Sequence, residues 1–287
     1  MFFAKVNVNS NVYEICDKPE KLQEIIDNII VKVNQDKTVV LGKDYKKDAG
    51  MVIKFIELQK DVSKQYISGQ LIKIYREEIL QYNENEDKIT KLPPIPLART
   101  ATFFFDARTE RVGFTLGQYF GKDKFCEYFR KMLEAFSEVE LNVGLILDEA
   151  TLLEKMKRFK RIDSIAVDMV LPNPPAREEL NKLFAGNAEN LEEMNAHSYK
   201  QVFLSQKKGK GLNIDTKLVC TLTEGVSNGY GKMQITGTAD STENMVVNSS
   251  KDCPYKQPIR SNEKNSVPVV MELGKKYIGW LMSKIKR

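Results

Sequence analysis

The sequence holds a single histidine, His197, in 287 residues. That scarcity excludes metal sites built on paired histidines and catalytic schemes that relay protons through several imidazoles. Cysteine is sparse too. Cys16, Cys126, Cys220 and Cys253 are far apart and make no C-x-x-C pair, which fits reduced thiols in a cytoplasmic protein better than a disulfide framework or a zinc site. No apolar run is longer than a strand, so nothing reads as crossing a membrane. The opening MFFAKVNVNS lacks a basic n-region and a small-residue cleavage site; it reads as a first strand, not a signal peptide. No Gly-Lys-Ser/Thr stands at the spacing of a phosphate-binding loop, and no repeat recurs.

What remains has the composition of a globular protein. Hydrophobic residues make up 42% of the chain, enough for a substantial core, and the formal charge of +5 permits nucleic-acid contact without requiring it. The clearest patterning runs from Val139 to Pro175. Val139, Leu141, Val143, Leu145 and Leu147 alternate as in a strand with one buried face. Asp148 is placed to cap a helix with Glu149 in its first turn. Leu152, Leu153, Met156 and Phe159 share one face of that helix, with Lys155, Lys157 and Arg158 opposite. Ile165, Val167, Met169 and Leu171 then alternate until Pro172, Pro174 and Pro175 stop the strand.

The same rules place strands at Phe2–Val8, Thr38–Leu41, Met51–Leu58 and Tyr66–Tyr75, with Gly69 marking a bulge in the last. A helix is predicted over Lys18–Val31. Thr100–Phe105 and Arg111–Leu116 form a hairpin, and Phe103, Phe104 and Phe105 make its first strand apolar on both faces, as near the centre of a sheet. Helices follow over Lys122–Phe136 and Ala176–Met194. Tyr199–Leu204 and Lys232–Thr238 are strand candidates, Thr216–Val226 suits either a helix or a strand, and Asp240–Ser266 is polar and poorly patterned. The chain closes on a helix carrying Tyr277, Ile278, Trp280, Leu281 and Ile285.

Together these elements predict an α+β fold with a mixed or largely antiparallel sheet and helices packed on it. The run from Thr100 to Leu171 suggests a ferredoxin-like split arrangement, two helices on one face of a sheet. Pro93-Pro94-Ile95-Pro96 reads as an irregular extended connection. It divides the chain into an N-terminal α+β unit, 1–96, and a central and C-terminal unit, 97–287; a long loop inside one domain reads equally well.

Few constellations carry chemistry. Glu57, Lys60 and Asp48 come nearest to a carboxylate-and-lysine nuclease, but on a regular strand Glu57 and Lys60 face opposite sides. Asp168 lies in an apolar strand, on the face that alternation leaves open to solvent. Cys126 sits beside Phe125 on a helix, as a core thiol would. Lys207-Lys208-Gly209-Lys210-Gly211 is a basic turn whose glycines could free backbone amides for phosphate, and an exposed turn explains it too.

The strand FFAKVNV, the hairpin LARTATFFFDARTERVGFT with its Phe-rich helix, the strand ending IDSIAVDMVLPNPP and the turn SNGYG together resemble uncharacterised bacterial families, domains of unknown function found near mobile-element or phage-defence genes. The resemblance spans most of the chain and carries over no catalytic motif. It implies a bacterial cytoplasmic setting and a part in phage–host conflict.

The expectation is thus a non-enzymatic nucleic-acid-binding or adaptor protein without metal or cofactor, with DNA or RNA as partner and no membrane. Lys207, Lys208 and Lys210 would contact phosphate, with Lys157, Arg158, Lys284 and Lys286 beside them. One alternative is a metal-dependent nuclease using Asp168, Asp148, Glu57 and Asp48. The other is a protein-interaction subunit that assembles with a partner protein or with itself.

Overall fold

A computed structural model describes residues 1–10, 12–42, 50–85, 87–173, 191, 193–206, 209–239 and 244–285. In chain order, β1 (Phe2–Val8), α1 (Val12–Asp17) and α2 (Pro19–Lys32) lead into β2 (Thr38–Leu41), β3 (Met51–Asp61), β4 (Tyr66–Asn83), β5 (Lys88–Asp106) and β6 (Arg111–Leu116). Helix α3 (Lys122–Ser137), strand β7 (Leu141–Leu145), helix α4 (Glu149–Lys157) and strand β8 (Phe159–Val170) follow. Then come β9 (Ser198–Leu204), α5 (Lys217–Gly225), a π-helical turn over Val226–Tyr230 and β10 (Gly231–Ala239). Strand β11 (Asn244–Asn248), the single turn α6 (Ser249–Asp252) and α7 (Val267–Ile285) are the last described elements.

The described strands form two antiparallel sheets, one of seven in the order β2-β3-β4-β5-β6-β1-β7 and one of four in the order β11-β10-β8-β9. With the helices packed on them this is an α+β fold. β5 is the middle strand of the large sheet, which accounts for its three phenylalanines. Phe103 and Phe105 join the main core, where Phe129 of α3 packs edge-on to both, while Phe104 joins a second cluster with Val270, Ile278 and Leu281 of α7. The amphipathic pattern of α3 buries Phe125, Phe129, Met132, Leu133 and Phe136. Phe125 stacks on Phe114 of β6 with ring centroids 3.8 Å apart.

The strand-helix-strand reading of Val139–Leu171 holds in its elements. Asp148 accepts a hydrogen bond from the Thr151 amide at 3.3 Å and caps α4. Two details differ. Phe159 is not helical: α4 closes at Arg158, and Phe159 opens β8, opposite Ala239 of β10. The segment Thr100–Leu171 also spreads over both sheets. β5, β6 and β7 lie in the large one, whereas β8 pairs with β10 and β9 and begins the smaller one. Ile165, Val167 and Met169 are fully buried on one side of β8, in the same core cluster as Leu152 and Met156 of α4 and Leu222 and Val226 from α5 and the turn after it.

Pro93-Pro94-Ile95-Pro96 lies within β5 and not in an irregular connection. The prolines are accommodated because the β4–β5 register shifts between Glu77 and Ile79, so that Pro93 and Pro94 together oppose Glu78. Position 96–97 is therefore inside a strand paired from Asp106 to Lys88. Among the described residues, the stretch of this ribbon beyond Tyr75 pairs only with itself, and Leu80, Tyr82 and Ile89 stay exposed on it. Gly69 does mark a bulge, but the extra residue is on β3: Glu57 adopts φ 51° and, with Leu58, stands opposite Gly69. Thr216–Val226 resolves as helix α5, capped by the Thr216 hydroxyl on the Val219 amide. The weakly patterned Asp240–Ser266 contains β11 and α6. The helix read over Ala176–Met194 lies almost wholly outside the described residues.

Candidate nucleic-acid interface

Four cationic side chains converge on one concavity of about 250 Å³. Lys157 comes from the last turn of α4, Lys160 and Arg161 from the start of β8, and Lys210 from the loop before α5; Asp215 is the acid on its wall. Elementary constraints bring these segments together. α4 must end at Arg158 for β8 to start, so Lys157 and Lys160 lie either side of a tight join. Gly211 then holds the loop against β8. It has φ +90°, and a Cβ there would stand 2.9 Å from Arg161 Cγ and 3.0 Å from the Ile162 carbonyl oxygen, so only glycine permits this approach. The Leu212 amide completes the join, donating to the Ile162 oxygen at 2.9 Å. The glycine thus anchors the loop beside the lysines of α4 and β8.

Lys157, Lys160 and Lys210 are exposed and make no ion pair among the described residues. Arg161 is steadied by Asp163 at 2.9 Å and by donation to the Gln206 carbonyl at 3.0 Å. Arg158, in contrast, pairs with Glu154 one turn back on α4 and does not line the concavity. Lys207, Lys208 and Lys286, and the side chain of Lys284, lie outside what the structure describes.

A second cationic row crosses the open face of the small sheet. Lys200 of β9 and Lys232 of β10 stand directly opposite Asp168 of β8, one on each side, and Lys232 approaches its carboxylate at 3.5 Å. Asp168 is therefore a half-exposed carboxylate between two lysines. This row adjoins a concavity of about 320 Å³ that also takes in Gln234, Asn248 and Ser250. The two lysines escape a reading of the sequence because they meet Asp168 only through strand pairings across 32 and 64 positions, the spacings 168–200 and 168–232.

Asp148 and Glu57, two other acids of the nuclease alternative, have structural partners. Asp148 caps α4. Glu57 accepts from the Gln70 side-chain amide at 3.1 Å. Lys60 donates to the carbonyl oxygens of Ile30, Val31 and Val33 at 2.9–3.4 Å, closing the C-terminal end of α2, where a cation suits the helix dipole. Asp48 lies outside the described residues. Among those described, no three His, Cys, Asp or Glu side chains are grouped to hold a metal ion. Cys126 is buried in α3, and burial pushes its thiol well above the ordinary range, which keeps it protonated. His197 is an exposed residue before β9 whose carbonyl accepts from the Leu171 amide at 3.0 Å. No described helix is long and apolar enough to cross a membrane.

No curated protein matches this sequence. The chain belongs to the DUF4747 family, a domain of unknown function, which it matches over residues 7–275.

Proposed function

We propose that this protein binds nucleic acid through the phosphate backbone, without cutting it, as a cytoplasmic component of a bacterial phage-defence or mobile-element system. The observation that carries the binding reading is the convergence of Lys157, Lys160, Arg161 and Lys210 on one concavity from three separate segments. The helix dipole accounts for a lysine in the last turn of α4. It gives no account of Lys160 or Lys210. Exposed ammonium groups without carboxylate partners are free to take up phosphates and release their counterions, the main source of sequence-independent affinity. The cellular setting rests on the family resemblance alone.

The test is fluorescence polarisation with labelled DNA and RNA, single- and double-stranded, from about 50 to 200 mM salt. The expected result is affinity that falls steeply as salt rises. Lys157→Gln, Lys160→Gln and Lys210→Gln combined should flatten the slope of log affinity against log salt by about two to three, since each phosphate contact contributes about 0.7–0.9. Failure of every nucleic acid to bind at low salt overturns the proposal.

A further inference from the structure

The large sheet carries a second group of cations, and this one includes an exposed aromatic ring, Tyr119, and a half-buried one, Tyr75. Tyr119 lies in the turn between β6 and α3 and is 75% exposed. Its backbone has φ 59°, and it is the one aromatic among the non-glycine residues with a left-handed backbone in the described chain. That conformation is unfavourable for a bulky side chain. The turn is pinned at both ends: the Gly117 amide donates to the Thr100 carbonyl at 2.9 Å, and Phe120 is buried beside Tyr128. Phe120 therefore goes inward and Tyr119 is presented to solvent.

The Arg99 guanidinium lies 4.8 Å from the centre of the Tyr119 ring and 5.9 Å from that of Tyr75, and its Nε donates to the Tyr75 hydroxyl at 3.0 Å. Lys73, directly opposite Arg99 across the β4–β5 pair, places its ammonium 5.0 Å from the Tyr75 ring. Arg99 and Lys73 make no ion pair with a carboxylate among the described residues. Strand register thus sets Lys73 beside Arg99, whose guanidinium lies over the Tyr119 ring and is tied to the Tyr75 hydroxyl.

We infer that Tyr119, Arg99 and Tyr75 form a stacking site for an unpaired nucleobase, with Lys73 and Arg99 supplying charge for its phosphate. The inference rests on the nucleic-acid reading and deepens it by naming single-stranded chains as the preferred form. Two cations repel a quaternary-ammonium ligand, the other ligand that exposed rings attract. A simple anion would use the charges and leave the exposed ring without a role. A nucleotide uses both, because every base has a π-face and every linkage a negative charge. Base faces are covered in a duplex and accessible in a single strand.

The experiment compares a labelled single-stranded oligothymidylate with a duplex of equal length, using the full chain and its Tyr119→Gly and Tyr119→Phe variants. Glycine relieves the left-handed backbone, so this variant should fold at least as stably as the parent. Tyr119→Gly is expected to lose about tenfold or more in single-strand affinity, since stacking is worth roughly that per base. Its duplex affinity and salt slope should be unchanged, because no charge is removed, and Tyr119→Phe should bind like the parent. A parent that binds nucleic acid while Tyr119→Gly keeps its full single-strand affinity overturns the stacking site alone. A parent that binds neither probe at low salt overturns the nucleic-acid reading with it.

Discussion

Lys5 and Glu110 form an ion pair with Nζ and Oε2 2.5 Å apart, their side chains only 6% and 14% exposed. The pair sits where the large sheet meets the segment leaving β8. Glu110, in the β5–β6 turn, also accepts from the Asn173 side-chain amide, and Asn7 ties the same region by donating to the Leu171 carbonyl at 2.7 Å. Burial pushes the Lys5 ammonium below its ordinary value, and the adjacent Glu110 opposes that shift. Removing one member of such a pair leaves the other charged and unpaired. Lys5→Met should therefore cost about 3–5 kcal/mol. Lys5→Met with Glu110→Leu should cost less than the sum of the two single changes, as read by chemical denaturation. A Lys5→Met loss below about 1 kcal/mol, the typical value of an exposed pair, would place the residue outside this account.

Gly144 and Gly229 make a second join between the sheets. A Cβ on Gly144 of β7 would collide with the Gly229 carbonyl oxygen, and Gly229 itself has φ +87° in the turn before β10. Both neighbours are backbone or core, so neither can yield by rotating a side chain. Gly144→Ala is expected to destabilise by about 1–3 kcal/mol or more, visible as a lowered melting temperature. An unchanged melting temperature would show that β7 and the turn before β10 can separate at that point without loss.

Asp61 gives a pH signature. Its carboxylate accepts from the Ser63 hydroxyl at 2.6 Å and the Lys64 amide at 3.1 Å in the β3–β4 turn, and these bonds depress its pKa from 3.8 to about 2. The unfolded state binds the proton more readily, so the stabilisation is present above about pH 4 and is lost as pH falls toward 2. Asp61→Asn should lower the melting temperature at pH 7 and make no difference near pH 2. A deficit that stays constant across that range would assign the effect to the turn's shape instead of its charge.

Local periodicity carried the elements whose burial follows from one face: β1, α2, α3, α4, β8 and α7 stand close to where their apolar spacing places them. It could not show that the polar side of β1 is covered as well. Lys5 and Asn7 alternate with Ala4, Val6 and Val8 as solvent-facing residues would, yet both are buried: Leu171 and Asn173, more than 160 positions later, bond to Asn7, and Glu110 and Tyr230 meet Lys5. The candidate interface divides in the same way. Lys157 and Lys210 were recognisable as basic, but their meeting depends on Gly211 packing against Arg161 and Ile162. Tyr119 gave no periodic signal, since its importance lies in a backbone angle.

The α7 helix supplies a last test. Val270, Ile278 and Leu281 bury against Met1, Phe3, Phe104 and Tyr255, and Gly274 lets the helix approach so closely that a Cβ there would stand 2.6 Å from the Phe104 ring. The helix docks on its own sheet, and its apolar face thereby covers the side of β5 that Phe104 presents. Trp280 stacks on Tyr255 with centroids 6.1 Å apart but remains 42% exposed, so it contributes less than a fully buried indole. Deleting residues 274–287 removes two buried anchors, Ile278 and Leu281, at about 1.5–3 kcal/mol each, and exposes Phe3 and Phe104. That loss is a large part of the 5–15 kcal/mol that typically separates folded from unfolded chains. The truncated protein is therefore expected to melt at a markedly lower temperature or to aggregate, whereas neutralising Lys284, Lys286 and Arg287 together should shift the melting temperature far less. Gly274→Ala in the full chain separates packing from length: it should destabilise without removing any residue, since Phe104 sits in a filled cluster and has little room to move. Equal melting temperatures for the parent, the truncation and Gly274→Ala would show that the cluster around Phe104 does not hold the helix.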